Sequence, residues 1–207
     1  MAEPTRKQRE RADHRRMILE AAEAVFAQKG FHEATVQEIA ERAEFSVGYL
    51  YNLFENKTDI CAELVDMRAA ELVADVEARL QHQTDSVAKV RAAIAGKVDF
   101  FRRNQRFFLI FARLRPEDRA EGPAILMDVC RRRHREYVSR LREVFAEGIR
   151  SGVFVDVDPL VLVLCMEGMT NAAIAHWVAS EGAGGGVAEP EVLEKVFFRG
   201  ILTDKDE

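Results

Sequence analysis

Apolar residues recur at helical spacing, three or four positions apart, along most of this 207-residue chain. One such stripe consists of Ile18, Ala22, Val25 and Phe26. No segment of useful length shows the period of two that a half-buried strand requires, and the short segment 153–155 lies between a glycine and a proline-capped helix start. Because 48% of the residues are apolar, the chain can also bury a substantial core. The pattern predicts an all-α fold of about nine helices.

Helix start and stop signals divide the chain into these helices. Gly30 is placed to end the first long helix, and Asp158 followed by Pro159 is typical of an N-cap with proline at the first helical position. Asn56 and Asp59 predict the start of a long fourth helix that runs towards residue 83. The remaining signals are a helix start at 84–86, breakers at Pro116 and Gly122-Pro123, a glycine-rich loop at 182–186, and Pro190 at the start of the last helix.

The segment 35–57 has the clearest local pattern. Thr35 and Glu38 have the spacing of a capping box, in which each side chain satisfies a backbone N–H group of the other. An apolar stripe follows, and Ser46 is a candidate N-cap for a second short helix with Leu50 on its buried face. The segment therefore predicts two short helices joined by a tight turn. Its outward-facing residues suit the major groove of DNA, and they are Val47, Gly48, Tyr49 and Asn52.

Charge is distributed unevenly along the chain. The net charge is −5, which by itself does not indicate a nucleic-acid-binding protein. However, the arm between Thr5 and Arg16 contains six basic residues, Arg15 among them, opposed only by Glu10 and Asp13. A solvated, frayed tail is one interpretation. Next to a candidate helix-turn-helix, an arm that binds DNA phosphates is the better one.

Several classes of protein lack support in the sequence. Cys61, Cys130 and Cys165 form neither a paired framework nor a metal-binding spacing, and the five histidines are scattered, so we expect no metal, no cofactor and no enzymatic activity. The N-terminus has no apolar leader, and the longest apolar run, 159–166, is too short to span a bilayer. These features predict a cytoplasmic protein without a membrane partner.

Residues 13–57 resemble the DNA-binding domain of TetR-family transcriptional regulators. The family pattern is approximately T-x-x-x-I-A-x-x-A-G-V-S-x-G-x-L-Y-x-Y/H-F-x-x-K. This chain departs from it at the turn, where Glu44-Phe45 replaces Gly-Val, and at Leu53, where an aromatic residue or histidine is usual. The positions in register are Thr35, Ile39, Ala40, Ala43, Ser46, Gly48, Leu50, Tyr51, Phe54 and Lys57.

The resemblance implies roles for individual residues. Thr35 and Ser46 would bind phosphate at helix N-termini, while Tyr51 and Lys57 would each contact a phosphate through the hydroxyl and the ammonium group. Tyr51 as a half-buried packing ring, and Lys57 as a solvated charge, are the alternatives. The groove would be read by Val47, Gly48, Tyr49 and Asn52.

The rest of the chain carries weaker signals. A block of phenylalanines predicts either an aromatic effector pocket or ordinary core packing, and we expect a bulky, largely apolar ligand. The pocket candidates are Phe100, Phe101, Phe107, Phe108, Phe111, Tyr137, Cys165, Met169, Asn171 and Trp177. The last two helices are too apolar for a monomer surface, which predicts a homodimer interface. Its candidates are Met166, Ile174, Val178, Val196, Phe197 and Ile201. The basic run 131–135 lies within a helix and is interpreted as a solvated surface.

These signals predict a DNA-binding domain at 1–57 and a ligand-binding and dimerisation domain at 58–207. The predicted function is that of a homodimeric repressor, released from a near-palindromic DNA operator by a small-molecule effector. The DNA-binding domains of its two subunits would lie roughly 35 Å apart to enter successive major grooves. An activator or co-repressor-dependent regulator is the alternative within this class. A helical small-molecule carrier with weakened DNA binding is the alternative outside it, and the unusual Glu44-Phe45 turn favours that alternative.

Overall fold

The structure, a computed structural model, describes residues 5–113, 124–180 and 189–202, and in these ranges it contains nine α-helices. The all-α prediction is confirmed. Among the described residues, the extended pairing is limited to one isolated bridge between Phe154 and Leu202. The helices are α1 Arg6–Glu33, α2 Val36–Ala43, α3 Val47–Tyr51, α4 Lys57–Gln81, α5 Ser86–Arg103, α6 Gln105–Arg113, α7 Ala124–Arg150, α8 Pro159–Ala179 and α9 Pro190–Ile201.

Most predicted helix starts are present. Asn56 accepts from the N–H of Asp59 at 3.0 Å at the start of α4, and Asp85 accepts from the N–H of Ala88 at 2.8 Å at the start of α5. Asp158 caps α8 with Pro159 in its first turn, and Pro190 begins α9. The predicted breakers at Pro116 and Gly122-Pro123 and the loop at 182–186 lie outside the described residues.

The first helix is longer than its apolar stripe. A capping box between Thr5 and Gln8 begins α1 before Asp13, so most of the basic arm is helical rather than frayed. At the other end, Gly30 adopts a positive φ of 80°, which glycine accommodates without steric cost, and helical residues continue to Glu33. The sequence indicated the glycine correctly as a break but not the extra turn that follows it.

The chain divides into two compact units, and the division falls within α4. The first unit comprises Met1–Arg68 and Leu109–Arg131, and the second Ala69–Phe108 and Arg132–Glu207. In the first unit Ile18, Phe26, Ile39 and Leu50 are fully buried. The first three helices bury little surface alone, and Ile60 and Leu64 in the first turns of α4 are fully buried in the same unit. The functional boundary at residue 57 remains a prediction.

The core of the second unit is formed by α5, α7, α8 and α9. Ile94, Leu141, Phe145 and Met166 are fully buried in it. Of the described helices, α8 is the one whose length and mean hydropathy of 1.3 would also suit a bilayer crossing, a test that core helices of globular proteins pass as well. Because α8 is apolar around most of its circumference, its sequence does not reveal which side faces the core.

The predicted residues of the dimer interface require a correction. Met166, Ile174, Phe197 and Ile201 are buried within the second unit's own core and are not available to a partner. Val178 is half-buried, whereas Val196 is 63% exposed. The exposed apolar residues of α8 and α9 are Val161, Leu164, Val192 and Val196, and we call this set the C-terminal apolar face.

Candidate functional site

The segment 35–57 folds as two capped helices joined by a tight turn. The side chain of Thr35 accepts from the N–H of Glu38 at 3.2 Å, and the Glu38 carboxylate accepts from the N–H of Thr35 at 3.0 Å. Ser46 accepts from the N–H of Tyr49 at 3.1 Å and so begins α3. Both predicted caps are confirmed. They orient the start of each helix without help from distant residues.

The turn keeps its geometry although it lacks the usual glycine. Glu44 adopts the left-handed conformation, with φ 61° and ψ 33°. The N–H of Phe45 donates to the carbonyl of Ala40 at 3.0 Å, and that of Glu44 to the carbonyl of Glu41 at 3.2 Å. These two bonds are the Schellman pattern that ends a helix. The turn therefore satisfies the last carbonyls of α2 at the cost of a strained non-glycine residue.

An aromatic cluster ties α3 to α1. The ring of Tyr49 stacks on Phe45 with centroids 5.2 Å apart, and both rings contact His14. The Tyr49 hydroxyl lies 2.8 Å from Nδ1 of His14. Tyr49 is consequently half-buried and held in place, in contrast to the freely outward-facing side chain that the sequence predicts. Phe45, which replaces the valine of the family pattern, therefore packs in this cluster.

Other predicted DNA contacts are open to solvent. Gly48 and Asn52 are exposed, and Val47 is half-buried. Tyr51 is 55% exposed, so its ring is not the packing element that the alternative required. Thr35 and Ser46 are also exposed at the starts of their helices. A face with small, polar and aromatic groups is thus presented around α3.

Arg15 does not fit its predicted role in the basic arm. Its guanidinium pairs with the Glu63 carboxylate, donates to the carbonyl of Leu53 at 2.8 Å and lies 4.4 Å from the centroid of the Phe54 ring. The hydrogen bond to Glu63 raises the pKa of Arg15 further. Arg15 therefore joins α1, α4 and the end of the segment 35–57. Its assignment as a DNA contact is corrected accordingly. The sequence missed it because Glu63 is 48 positions away.

Lys57 also has partners within the protein. Its ammonium donates to the carbonyls of Ala34 at 2.8 Å and His32 at 3.0 Å and lies 4.8 Å from the centroid of the Phe31 ring. Burial lowers the pKa of this ammonium group. Lys57 thus satisfies carbonyls at the end of α1 and, with three N–H donors, keeps one for a further acceptor. A phosphate contact by Lys57 remains a prediction.

The predicted effector residues separate into three groups. Phe100, Phe107 and Tyr137 are buried, and Phe101, Phe108, Met169 and Trp177 are half-buried. Cys165 and Asn171 are exposed on α8, so their assignment to an internal pocket is wrong. The side chain of Phe111 lies outside the described residues.

The half-buried rings of Phe101 and Phe108 form one connected surface with the buried ring of Phe100. The ring of Phe101 meets those of Phe100 and Phe108 edge to face, with centroids 5.4 Å apart in each pair.

Lys97 and Glu167, which form a buried ion pair in the same unit, were missed by sequence reasoning. The basic run 131–135 behaves as expected, since Arg131 pairs with Asp128 at 2.6 Å and Arg133 with Glu136 at 2.9 Å.

Two family models match the chain. The model described as bacterial regulatory proteins, tetR family, matches residues 18–64. The model described as the tetracyclin repressor-like C-terminal domain matches residues 83–192, which is more than half of the chain. The first match covers α2, the turn and α3, and the second covers α5, α6, α7 and α8.

Similar proteins carry regulator names. YhgD of Bacillus subtilis, named as an uncharacterised HTH-type transcriptional regulator, is 25% identical over 166 residues, which are 80% of this chain and 84% of YhgD. FasR of Mycolicibacterium smegmatis, named as an HTH-type transcriptional activator, is 34% identical over 102 residues, 49% of this chain and 47% of FasR.

Solved structures share the fold over most of the chain. The fatty acid degradation regulator FadR from Bacillus halodurans superposes with a TM-score of 0.81 at 21% identity, covering 90% of this chain and 95% of that one. FadR from Bacillus subtilis, solved with stearoyl-CoA, superposes with a TM-score of 0.79 at 21% identity, covering 89% and 98%. At these identities the likeness establishes the fold.

Proposed function

The chain belongs to the tetR family of bacterial regulatory proteins, and from this premise we propose that it is a homodimeric repressor that a small, largely apolar effector releases from a near-palindromic operator. Its family makes it a ligand-responsive transcriptional regulator and not an enzyme. The observation that carries the proposal is the exposed face around α3, held by two caps, a Schellman turn and the aromatic cluster. A regulator of this kind acts in the cytoplasm.

The proposed DNA contacts divide by role. Thr35, Ser46, Tyr51 and Lys57 position the domain on phosphates, and such contacts carry no sequence information. Base edges in the major groove are read from the first turns of α3. The residues that read them are Val47, Gly48, Tyr49 and Asn52. The exposed basic residues of α1, such as Lys7, add non-specific attraction to the duplex.

The dimer is proposed to form through the C-terminal apolar face. Leu164 is 54% exposed on α8, and Val192 and Val196 lie one turn apart on α9. Two-fold pairing of these helices would bury all of them in a four-helix arrangement. The same symmetry presents two identical DNA-binding domains, and a near-palindromic site requires them roughly one helical turn of DNA apart.

The effector is proposed to bind in the second unit, beside the half-buried aromatic surface around Phe101. An apolar ligand suits that surface, and FadR from Bacillus subtilis was solved with an apolar acyl chain carried on coenzyme A. Binding releases the operator only if the ligand has different affinities for the DNA-bound and free conformations. We propose α4 as the coupling element, because it contributes residues to both compact units.

Fluorescence anisotropy with labelled DNA from upstream of the chain's own gene tests the proposal. The protein is expected to prefer that DNA over a random duplex of equal length by at least 10³-fold at physiological salt. Tyr51→Phe is expected to weaken binding to both duplexes about equally, because a phosphate contact carries no sequence information. Equal affinity for both duplexes in the unmodified protein would instead favour the small-molecule carrier.

The sign of regulation has one competing observation. FasR, which matches about half of this chain, is named as an activator. A promoter–reporter fusion in cells with and without the gene separates the two possibilities. Reporter output that rises when the gene is deleted supports repression, and output that falls supports activation.

A further inference from the structure

Three polar side chains from three helices meet inside the second unit. Lys97 of α5, Tyr137 of α7 and Glu167 of α8 are 2%, 5% and 8% exposed. The Lys97 ammonium donates to Oε1 of Glu167 at 2.5 Å and lies 5.9 Å from the centroid of the Tyr137 ring. Apolar residues such as Ile94, Leu141 and Met166 belong to the same core. We call the three residues the polar triad.

The polar triad leaves a hydrogen-bond donor without an acceptor among the described residues. The Tyr137 hydroxyl has no hydrogen-bond partner among the described residues. Lys97 has three N–H donors, of which one is directed to Glu167. Thr170, the next buried polar residue on α8, is satisfied by the carbonyls of Met166 and Glu167. An acceptor oxygen placed between the Tyr137 hydroxyl and the Lys97 ammonium would satisfy donors that these two groups leave unused.

Stability alone does not explain this arrangement. A buried hydroxyl without a partner is unfavourable, and phenylalanine at position 137 would avoid the penalty. A buried ion pair is often no better than well-packed apolar residues of the same volume. Burial lowers the pKa of Lys97 and raises that of Tyr137 well above its usual value. A buried polar group without a partner requires an explanation, and ligand sites are mostly apolar with a few precisely placed polar groups.

We propose that Tyr137 and Lys97 bind the uncharged carbonyl oxygen of the effector, a thioester or a ketone on a largely apolar body. A carboxylate is disfavoured because Glu167 already balances the charge of Lys97, and a second anion would be buried without compensation. One helical turn after Lys97, the half-buried ring of Phe101 offers an apolar surface for the body of the molecule. This inference rests on the proposed function, since it specifies the effector of that regulator.

Direct ligand titrations test the inference without DNA. Trp177 is the single tryptophan of the chain and is half-buried on α8, so its fluorescence reports binding in this unit. The thioester arm compares palmitoyl-CoA with the thioether S-hexadecyl-CoA, which lacks only the carbonyl. The ketone arm compares a 3-ketosteroid with the corresponding 3-hydroxysteroid. Palmitate tests whether a free carboxylate is accepted.

In at least one arm, the carbonyl probe is expected to bind about tenfold more tightly than its carbonyl-free partner, and also more tightly than palmitate. Tyr137→Phe is expected to remove most of this preference while the melting temperature of the ligand-free protein stays the same or rises. Lys97→Met provides a second variant, with the same loss of preference. A purely structural role for the polar triad predicts an unchanged preference in Tyr137→Phe.

Three results would overturn the inference. They are no binding of either carbonyl probe, equal binding within both pairs, or a preference that survives in Tyr137→Phe. Operator binding is measured separately by anisotropy on the same preparations. A missing carbonyl preference in the unmodified protein with intact operator binding rejects the inference alone, whereas carbonyl preference without operator binding rejects the proposed repressor alone.

Discussion

At the residue scale, Glu44 adopts a conformation that L-residues rarely occupy. Its φ of 61° costs a non-glycine residue roughly 1–2 kcal/mol, and glycine at this position would avoid that cost while losing about 0.5–1 kcal/mol to chain entropy. Glu44→Gly is therefore expected to raise the free energy of unfolding by about 0.5–1 kcal/mol. Chemical denaturation measures the difference.

The matched control for this turn is Glu44→Ala, which removes the same side chain but keeps the Cβ atom. It should give no gain in stability, because alanine shares the steric penalty at positive φ. If alanine stabilised the protein as much as glycine, the loss of a charge and not the backbone conformation would be the cause.

Lys57 combines a structural and a predicted DNA role in one side chain. Lys57→Ala leaves the carbonyls of His32 and Ala34 without their charged donor, and it is expected to lower the free energy of unfolding by about 1.5–3 kcal/mol. If its third N–H binds a phosphate, the slope of log affinity against log salt concentration should also become shallower by about one. Thermal melting and salt titration measure the two effects independently.

Lys89→Ala is the control for that pair of measurements. Lys89 lies in the second unit and pairs with Glu147 at 2.7 Å, so its loss changes the net charge equally without affecting the carbonyls of α1. The salt slope should stay unchanged in this variant. A slope that is unchanged in Lys57→Ala as well would restrict Lys57 to its structural role.

At the scale of the element, the start of α2 predicts a pH dependence. The hydrogen bond from Lys29, and then that from the N–H of Thr35, lower the pKa of Glu38. A carboxyl group whose pKa is depressed in the folded state stabilises the fold above its ordinary pKa, and this contribution is lost as the pH falls through the depressed value. The capped helix should therefore lose stability selectively in acid.

Glu38→Gln tests this pH dependence. The amide keeps an acceptor for the N–H of Thr35 but carries no charge, so this variant should be less stable than the unmodified protein at neutral pH. The difference should shrink as the pH falls below the ordinary range of a glutamate. Denaturation at a series of pH values measures it, and a difference that stays constant would assign the stabilisation to something other than the ionised carboxylate.

At the scale of the whole molecule, the proposed dimer depends on side chains that the single chain leaves uncovered. Val196→Glu and Leu164→Glu place a charge on the C-terminal apolar face and are expected to yield folded monomers in sedimentation experiments. Phe197→Glu, by contrast, should lower the melting temperature sharply, since Phe197 is buried in the core of its own chain.

Met17→Glu is the matched control for the dimer variants. Met17 is another exposed large apolar residue, but it lies on α1 in the first unit. The same substitution of an exposed apolar residue by glutamate should leave the oligomeric state as it is in the unmodified protein. Dimers that persist in both C-terminal variants would move the interface to another surface.

The sequence predicted those features that depend on neighbours three or four residues apart. The caps at Thr35, Ser46 and Asp158 were all identified, and the helix-start signal at 84–86 contains the observed cap Asp85. Each cap joins a side chain to a backbone N–H group in the next turn. Helical periodicity identified the all-α class for the same local reason. The DNA-reading segment could be recognised because most of its geometry is built from such contacts.

The tertiary structure alone decided which surfaces face one another. Helix α8 is apolar nearly all round, so its sequence could not show that Met166 points inward while Leu164 points outward. Lys97 and Glu167 are 70 positions apart, and Arg15 and Glu63 are 48 positions apart. No local sequence pattern therefore predicts either ion pair. Local hydrogen bonds are encoded by short spacings, whereas the burial of a side chain depends on which helices pack against it.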